Sequence, residues 1–137
     1  MKTNLVAYLV ALLVFCIQDA IWLGLFAPAF YQGQIGDLLL TTPRLGAAAL
    51  FYLMYLAGVV LFVVRPALEK RSLSRAVVLG ALFGIVCYAS YNLTNLATLK
   101  GWSVEVVVVD ITLGAIETAL ASAASFIACD RPALRGA

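Results

Sequence analysis

The chain contains no histidine, and Asp, Glu, Lys and Arg make up only 12% of its 137 residues. Without histidine the commonest general base is missing, and ordinary haem ligation and His-based zinc chemistry are excluded. The scarcity of charge sets the chain apart from soluble domains, of which roughly 25% is charged. No G-x-S-x-G, no metal-ligand cluster and no cofactor motif is found. No cofactor, no metal and no nucleic-acid partner is therefore expected. The three cysteines, Cys16, Cys87 and Cys129, are odd in number and lack C-x-x-C spacing. Cys16 and Cys87 fall in apolar stretches, where a thiol acts as a small hydrophobe.

What fills the chain is hydrocarbon: 64% of it is hydrophobic, with a mean hydropathy of +1.04. A membrane span needs about 20 mostly apolar residues. Leu5–Phe26, Leu45–Val64, Ala76–Leu99 and Val104–Ala128 qualify. The ten-residue alternating segments of a membrane barrel are absent. Lys2, Arg65, Lys70, Arg71, Arg75, Arg131 and Arg135 fall on one side of a four-span arrangement, and only Arg44 and Lys100 on the other. By the positive-inside bias, both termini and the central connection are cytoplasmic. The expected fold is an all-α membrane protein, a four-transmembrane-helix bundle forming one domain over residues 1–137. The first span is expected to stay as an anchor, because Phe15 is too bulky for the small residue that precedes a processed lipoprotein cysteine.

Three connections follow. The longest, Ala27–Arg44, is bracketed by Pro28 and Pro43 and mixes apolar and polar side chains, as an interfacial helix or lid would. Arg65–Arg75 is short and basic, with Pro66 expected to end the second span. Lys100-Gly101-Trp102 is a tight turn that makes a hairpin of the last two helices. Trp22 and Trp102 suit an outer aromatic belt.

Asp19, Asp110 and Glu117 lie inside the spans, and no basic residue shares those stretches. A charged side chain near mid-bilayer costs at least about 2.5–3.5 kcal/mol, so such residues usually face a bundle interior and mark a working site. These three must be protonated, hydrogen-bonded by neutral groups, or bound to a cation. Asp19, Asn92, Asn95 and Asp110 fall at similar depth, roughly 6–11 Å below the outer boundary at 1.5 Å per residue. Tyr88, Asn92 and Asn95 share one helix face through i, i+4, i+7 spacing, as do Asp110, Gly114 and Glu117. Tyr52 and Tyr55 add polar groups at a comparable level. The substrate- or ion-binding set is thus Asp19, Trp22, Tyr52, Tyr55, Tyr88, Asn92, Asn95, Asp110 and Glu117; the alternative for the neutral members is that they tie helices together. Gly80 and Gly84 form a G-x-x-x-G, which lets another helix approach closely, in the same chain or in a partner.

Asp19-x-x-Trp22-Leu23-Gly24, Phe51-Tyr52-x-x-Tyr55-x-x-Gly58, the run from Tyr91 to Lys100 and the Asp110…Gly114 stretch together resemble a bacterial inner-membrane family catalogued as domain of unknown function 2177. The likeness covers nearly the whole chain, and Tyr91-Asn92-Leu93-Thr94-Asn95 is its most specific part. Members tend to have tryptophan immediately before the last glycine, where this chain has Leu113. The resemblance implies a multi-pass protein of a bacterial inner membrane, with no established activity. Members encoded near enzymes of fatty-acid modification and light-stress response imply a lipid-related setting.

Three functions remain open on the sequence. One is a proton- or cation-coupled carrier of an amphipathic or lipid-like molecule, working through a polar pocket in the outer leaflet. A second is a non-catalytic subunit of a larger membrane complex or a homo-oligomer, with Gly80 and Gly84 as packing face. A third is a membrane enzyme, or accessory to one, acting on lipid, with carboxyl groups as acid and base.

Overall fold

A computed structural model describes residues 1–131, so Arg135 lies outside the described residues. Four helices are long and apolar enough to cross a membrane. They are α1 (Lys2–Leu25), α3 (Leu45–Glu69), α4 (Leu73–Thr98) and α5 (Val104–Cys129), with a short helix α2 (Ala27–Ile35) between the first two. At 1.5 Å per residue each long helix exceeds the roughly 30 Å of a hydrocarbon core. The described residues contain no strand.

Both the inner and the outer face of these helices are apolar. On α1, Leu5, Leu9, Leu13 and Ile17 are exposed, while Ala7, Ala11 and Phe15 are buried. Lipid tails are as apolar as leucine, so the inward face is chosen by fit between small and large side chains rather than by hydrophobicity. α5 is the central element: it packs on α1, on the second half of α3 and, most extensively, on α4. Gly80 and Gly84 of α4 lie directly on α5. A Cβ on Gly80 would stand 2.8 Å from Ser122 Oγ and 2.9 Å from the Thr118 carbonyl oxygen. A Cβ on Gly84 would run into the Gly114 backbone carbonyl. The glycine pair is therefore occupied within the chain, and the packing face expected for a complex partner is taken by α5.

Pro66 does not end the second span. The helix runs on to Glu69, with Pro66 in the first turn of its last stretch, Arg65–Glu69. The π-helical segment Val60–Val64 precedes it, and the Arg65 N–H donates to the Val60 carbonyl, five residues back. The wider turn accommodates the missing proline N–H without breaking the path. Ser72 starts α4 by accepting from Arg75 N at 3.2 Å. Ser103 starts α5 by accepting from Val106 N at 3.1 Å. The connection between them is tight, and Gly101 in it takes φ +80, a conformation that favours glycine.

Candidate functional site

At the α2 end of the bundle, α1, α2, α3, α4 and α5 enclose a cavity of about 150 Å³. Asp19, Asp110 and Glu117 all line it, together with Trp22, Tyr31, Phe51, Tyr52 and Tyr88. Among the described residues no Lys or Arg lines it. The three carboxyl groups come from two helices whose inward faces are fixed by close packing below them. Ser125 Oγ donates to the Ala7 carbonyl at 2.9 Å, and Gln18 Nε2 to the Glu117 carbonyl at 3.2 Å, so α1 and α5 are tied on both sides of the contact.

The carboxyl groups differ in what they receive. Asp110 is the most heavily bonded: Tyr31 donates to one oxygen, and Tyr91 donates to the other. Asn92 Nδ2 adds a bond to that second oxygen at 3.3 Å. Asn92 is fully buried and is itself positioned, donating to the Tyr88 carbonyl at 3.1 Å and accepting from Trp102 Nε1 at 3.4 Å. Asp19 accepts from Tyr52. Glu117, only 6% exposed, lines the cavity with no hydrogen bond to its carboxyl among the described residues. Asp110 thus has the donors that satisfy an ionised acceptor, Asp19 has one, and Glu117 has none. Nor do the carboxyl groups gather as ligands: among the described residues no three His, Cys, Asp or Glu are placed to hold a metal ion.

Two residues of the expected set stand apart from the cavity. Tyr55 is buried and shares a 2.7 Å hydrogen bond with Thr118. It belongs to the apolar core with Phe15, Leu56 and Val59. Asn95 is half-buried and makes none of the cavity's hydrogen bonds. The short turn after Leu99 sets the hairpin register so that Asn92 meets Asp110; Asn95 is almost one turn nearer the connection. Tyr88 lines the cavity with its ring laid over Gly114, where a Cβ would overlap it.

Two donors to Asp110 escaped the sequence reading. Tyr31 comes from α2, which reads as a surface helix, yet Ala27 and Ile35 are buried on the same stripe as Tyr31. That i, i+4, i+8 pattern was the available signal for one inward face. Burial, followed by its bond to Asp110, pushes the Tyr31 phenol up, so it remains a donor throughout the neutral range. Tyr91 is exposed on its ring and polar only at its tip, which nothing in the local pattern marks.

Residues 4–127 match DUF2177, a family described as predicted membrane protein and of unknown function. The chain belongs to this family. Its description and the four apolar helices agree, and the chain is a multi-pass membrane protein. The DUF2177 match reaches from the first turn of α1 almost to the end of α5, so every residue of the cavity lies within it. No curated protein and no solved structure matches the chain.

Proposed function

We propose that this chain is a proton-coupled carrier of an amphipathic, lipid-like molecule, whose polar head occupies the cavity in the outer leaflet of a bacterial inner membrane. The observation that supports this reading is Glu117: a residue almost wholly buried, whose carboxyl opens on the cavity and receives no donor from the described residues. Burying an ionised carboxylate without partners is costly, so the group either keeps its proton or receives donors from outside the chain. Exchange between those two conditions is proton–ligand coupling. Asp110 and Asp19 line the same space and supply further acceptors, and Tyr31 roofs it.

The placement of the cavity rests on charge. Lys2, Arg65, Lys70, Arg71, Arg75 and Arg131 lie at the end away from the cavity, and Arg44 and Lys100 at the cavity end. The positive-inside bias then puts the cavity outside. In a cysteine-free background, Lys100→Cys is expected to react with an impermeant maleimide added to whole cells, and Lys70→Cys only after lysis. Labelling of Lys70→Cys in intact cells reverses the orientation.

Transport is tested in proteoliposomes carrying an imposed pH gradient, with an NBD-labelled single-chain amphiphile followed by dithionite quenching. Gradient-dependent movement is expected, falling at least about tenfold in Glu117→Gln, which keeps the shape of the side chain but has no proton to exchange. Movement that ignores both the gradient and the substitution rules the carrier reading out.

A further inference from the structure

The cavity is too small for a lipid. A cavity of about 150 Å³ holds a molecule the size of benzene, enough for a compact head group and nothing more. Whatever tail accompanies that head must lie elsewhere, and a groove beside the cavity provides a place. The part of α3 nearest the cavity, Leu45–Val59, packs on α1 but makes little contact with α4. Aromatic rings bridge the gap lower down, where Tyr55 meets Phe83 at 5.5 Å and Tyr88 at 6.1 Å. Above those rings the two helices leave a groove of about 500 Å³, lined by Phe51, Cys87, Tyr88, Ser90 and Tyr91. Phe51 and Tyr88 line both the groove and the cavity. Tyr91 joins them chemically, since its ring borders the groove while its hydroxyl donates to Asp110. The other apolar groove, beside Phe62 and Leu82, shares no lining residue with the cavity and offers no second path.

The chemistry of the head follows from what the cavity lacks. Its lining presents unused acceptors on Glu117 and Asp19, no Lys or Arg, and five aromatic rings. Glu117 is the decisive group, because its carboxyl opens on the cavity and no described residue donates to it, which leaves its acceptors to whatever fills that space. An ammonium brings three N–H donors and a positive charge. Aromatic faces within about 6 Å attract such a cation, and more strongly where water is excluded. A carboxylate or phosphate head would face three carboxyl groups and no counter-charge.

We propose that the site takes a single-chain amphiphile with a primary ammonium head, which enters sideways between α3 and α4 and leaves its chain in the groove along Phe51 and Tyr88. The proposal rests on reading the cavity as a head-group site, but it concerns binding and does not require transport.

The test is therefore a binding measurement, made on the full chain in phosphatidylcholine nanodiscs. The protein has two tryptophans, so Trp102→Phe leaves Trp22, a cavity residue, as the only reporter. Tetradecylamine, tetradecanol and tetradecanoate are titrated at matched mole fraction in the disc, with ethylamine as a head group lacking a chain. The amine is expected to saturate the Trp22 signal at a mole fraction at least about tenfold below the alcohol and the acid. Ser90→Phe puts bulk into the groove from a lipid-exposed position, so folding is not at risk, and Cys87→Phe repeats the test one turn away. Each should weaken tetradecylamine at least about tenfold and leave ethylamine unchanged, whereas Glu117→Gln should weaken both amines. Equal binding of amine, alcohol and acid overturns the ammonium assignment. Unchanged tetradecylamine binding in both groove variants overturns the lateral entry. Tight amine binding without gradient-driven movement leaves this inference standing and sinks the carrier reading alone.

Discussion

Gly84→Ala is expected to destabilise the bundle by about 3 kcal/mol or more, the upper end of what overpacking costs. The cause is the nature of the obstacle. A Cβ at Gly84 would overlap the Gly114 backbone carbonyl and stand 2.8 Å from Thr118 Oγ1. A side chain can rotate away from a new methyl group, but a helix backbone cannot, so α4 and α5 must move apart along the most extensive contact in the fold. Gly80→Ala meets Ser122 Oγ, which can turn, and two α5 backbone atoms at 2.9 and 3.0 Å, so it should cost less than Gly84→Ala but remain clearly measurable. Gly24 has nothing within 4 Å of an added Cβ, and Gly24→Ala should be neutral or slightly stabilising, since alanine is the better helix former. Unfolding of the detergent-solubilised protein by sodium dodecyl sulfate, read by circular dichroism or mobility, gives the order directly. If Gly84→Ala and Gly24→Ala unfold together, the helices are not in backbone contact and the packing of the cavity floor has been misread.

The same contrast shows what the sequence could reveal. Four spans were legible because the bilayer demands about twenty apolar residues of any helix that crosses it, and little else in a chain of this composition competes with that signal. Their ends were less legible. The second helix passes Pro66 because a π-helical segment absorbs the missing donor, a backbone adjustment with no side-chain signature. Asp19, Asp110 and Glu117 were visible as candidates because a carboxyl in hydrocarbon is costly, and the structure brings all three to one cavity. Tyr55 packs beside the cavity rather than into it, because tyrosine suits the apolar core as readily as a polar site, and here Thr118 supplies its partner. Asn95 was grouped with Asn92 by helical face and approximate depth, whereas membership depends on the exact register of the hairpin, which Asn92 and Asp110 share. Tyr31 illustrates the remaining gap: the connection reads as an interfacial helix or lid, but that α2 brings Tyr31 to Asp110 is a long-range contact that its local pattern does not specify.

The second large effect concerns the carboxyl that Tyr31 reaches. Asp110→Ala is expected to cost about 3 kcal/mol, because it takes the acceptor from three donors, one buried and two partly buried, and an unsatisfied buried donor costs roughly 1–3 kcal/mol. Those donors are the hydroxyls of Tyr31 and Tyr91 and the amide of Asn92. Asp110→Asn should fall between, since its amide offers one acceptor oxygen and turns a second donor toward groups that are themselves donors. Glu117→Gln provides the contrast: no donor depends on that carboxyl, so its cost should stay below about 1 kcal/mol although the residue is equally buried. Loss of Asp110 also detaches the roof. Amide hydrogen exchange across Ala27–Ile35 should rise in Asp110→Ala and in Tyr31→Phe, while the α4–α5 contact near Gly80 stays protected. In a double-mutant cycle, Tyr31→Phe should cost about 1.5–3 kcal/mol in the parent chain and close to nothing once Asp110 is alanine. The pH response of this bond has a definite sign on the tyrosine side. The folded Tyr31 phenol is pushed above its ordinary value, so its contribution is fully present below the ordinary tyrosine range near 10 and is lost only as pH rises through the folded value. If Asp110→Ala and Glu117→Gln cost the same, and α2 exchanges no faster in either, the tyrosines are not held by Asp110 and α2 stays in place through the packing of Ala27 and Ile35 alone.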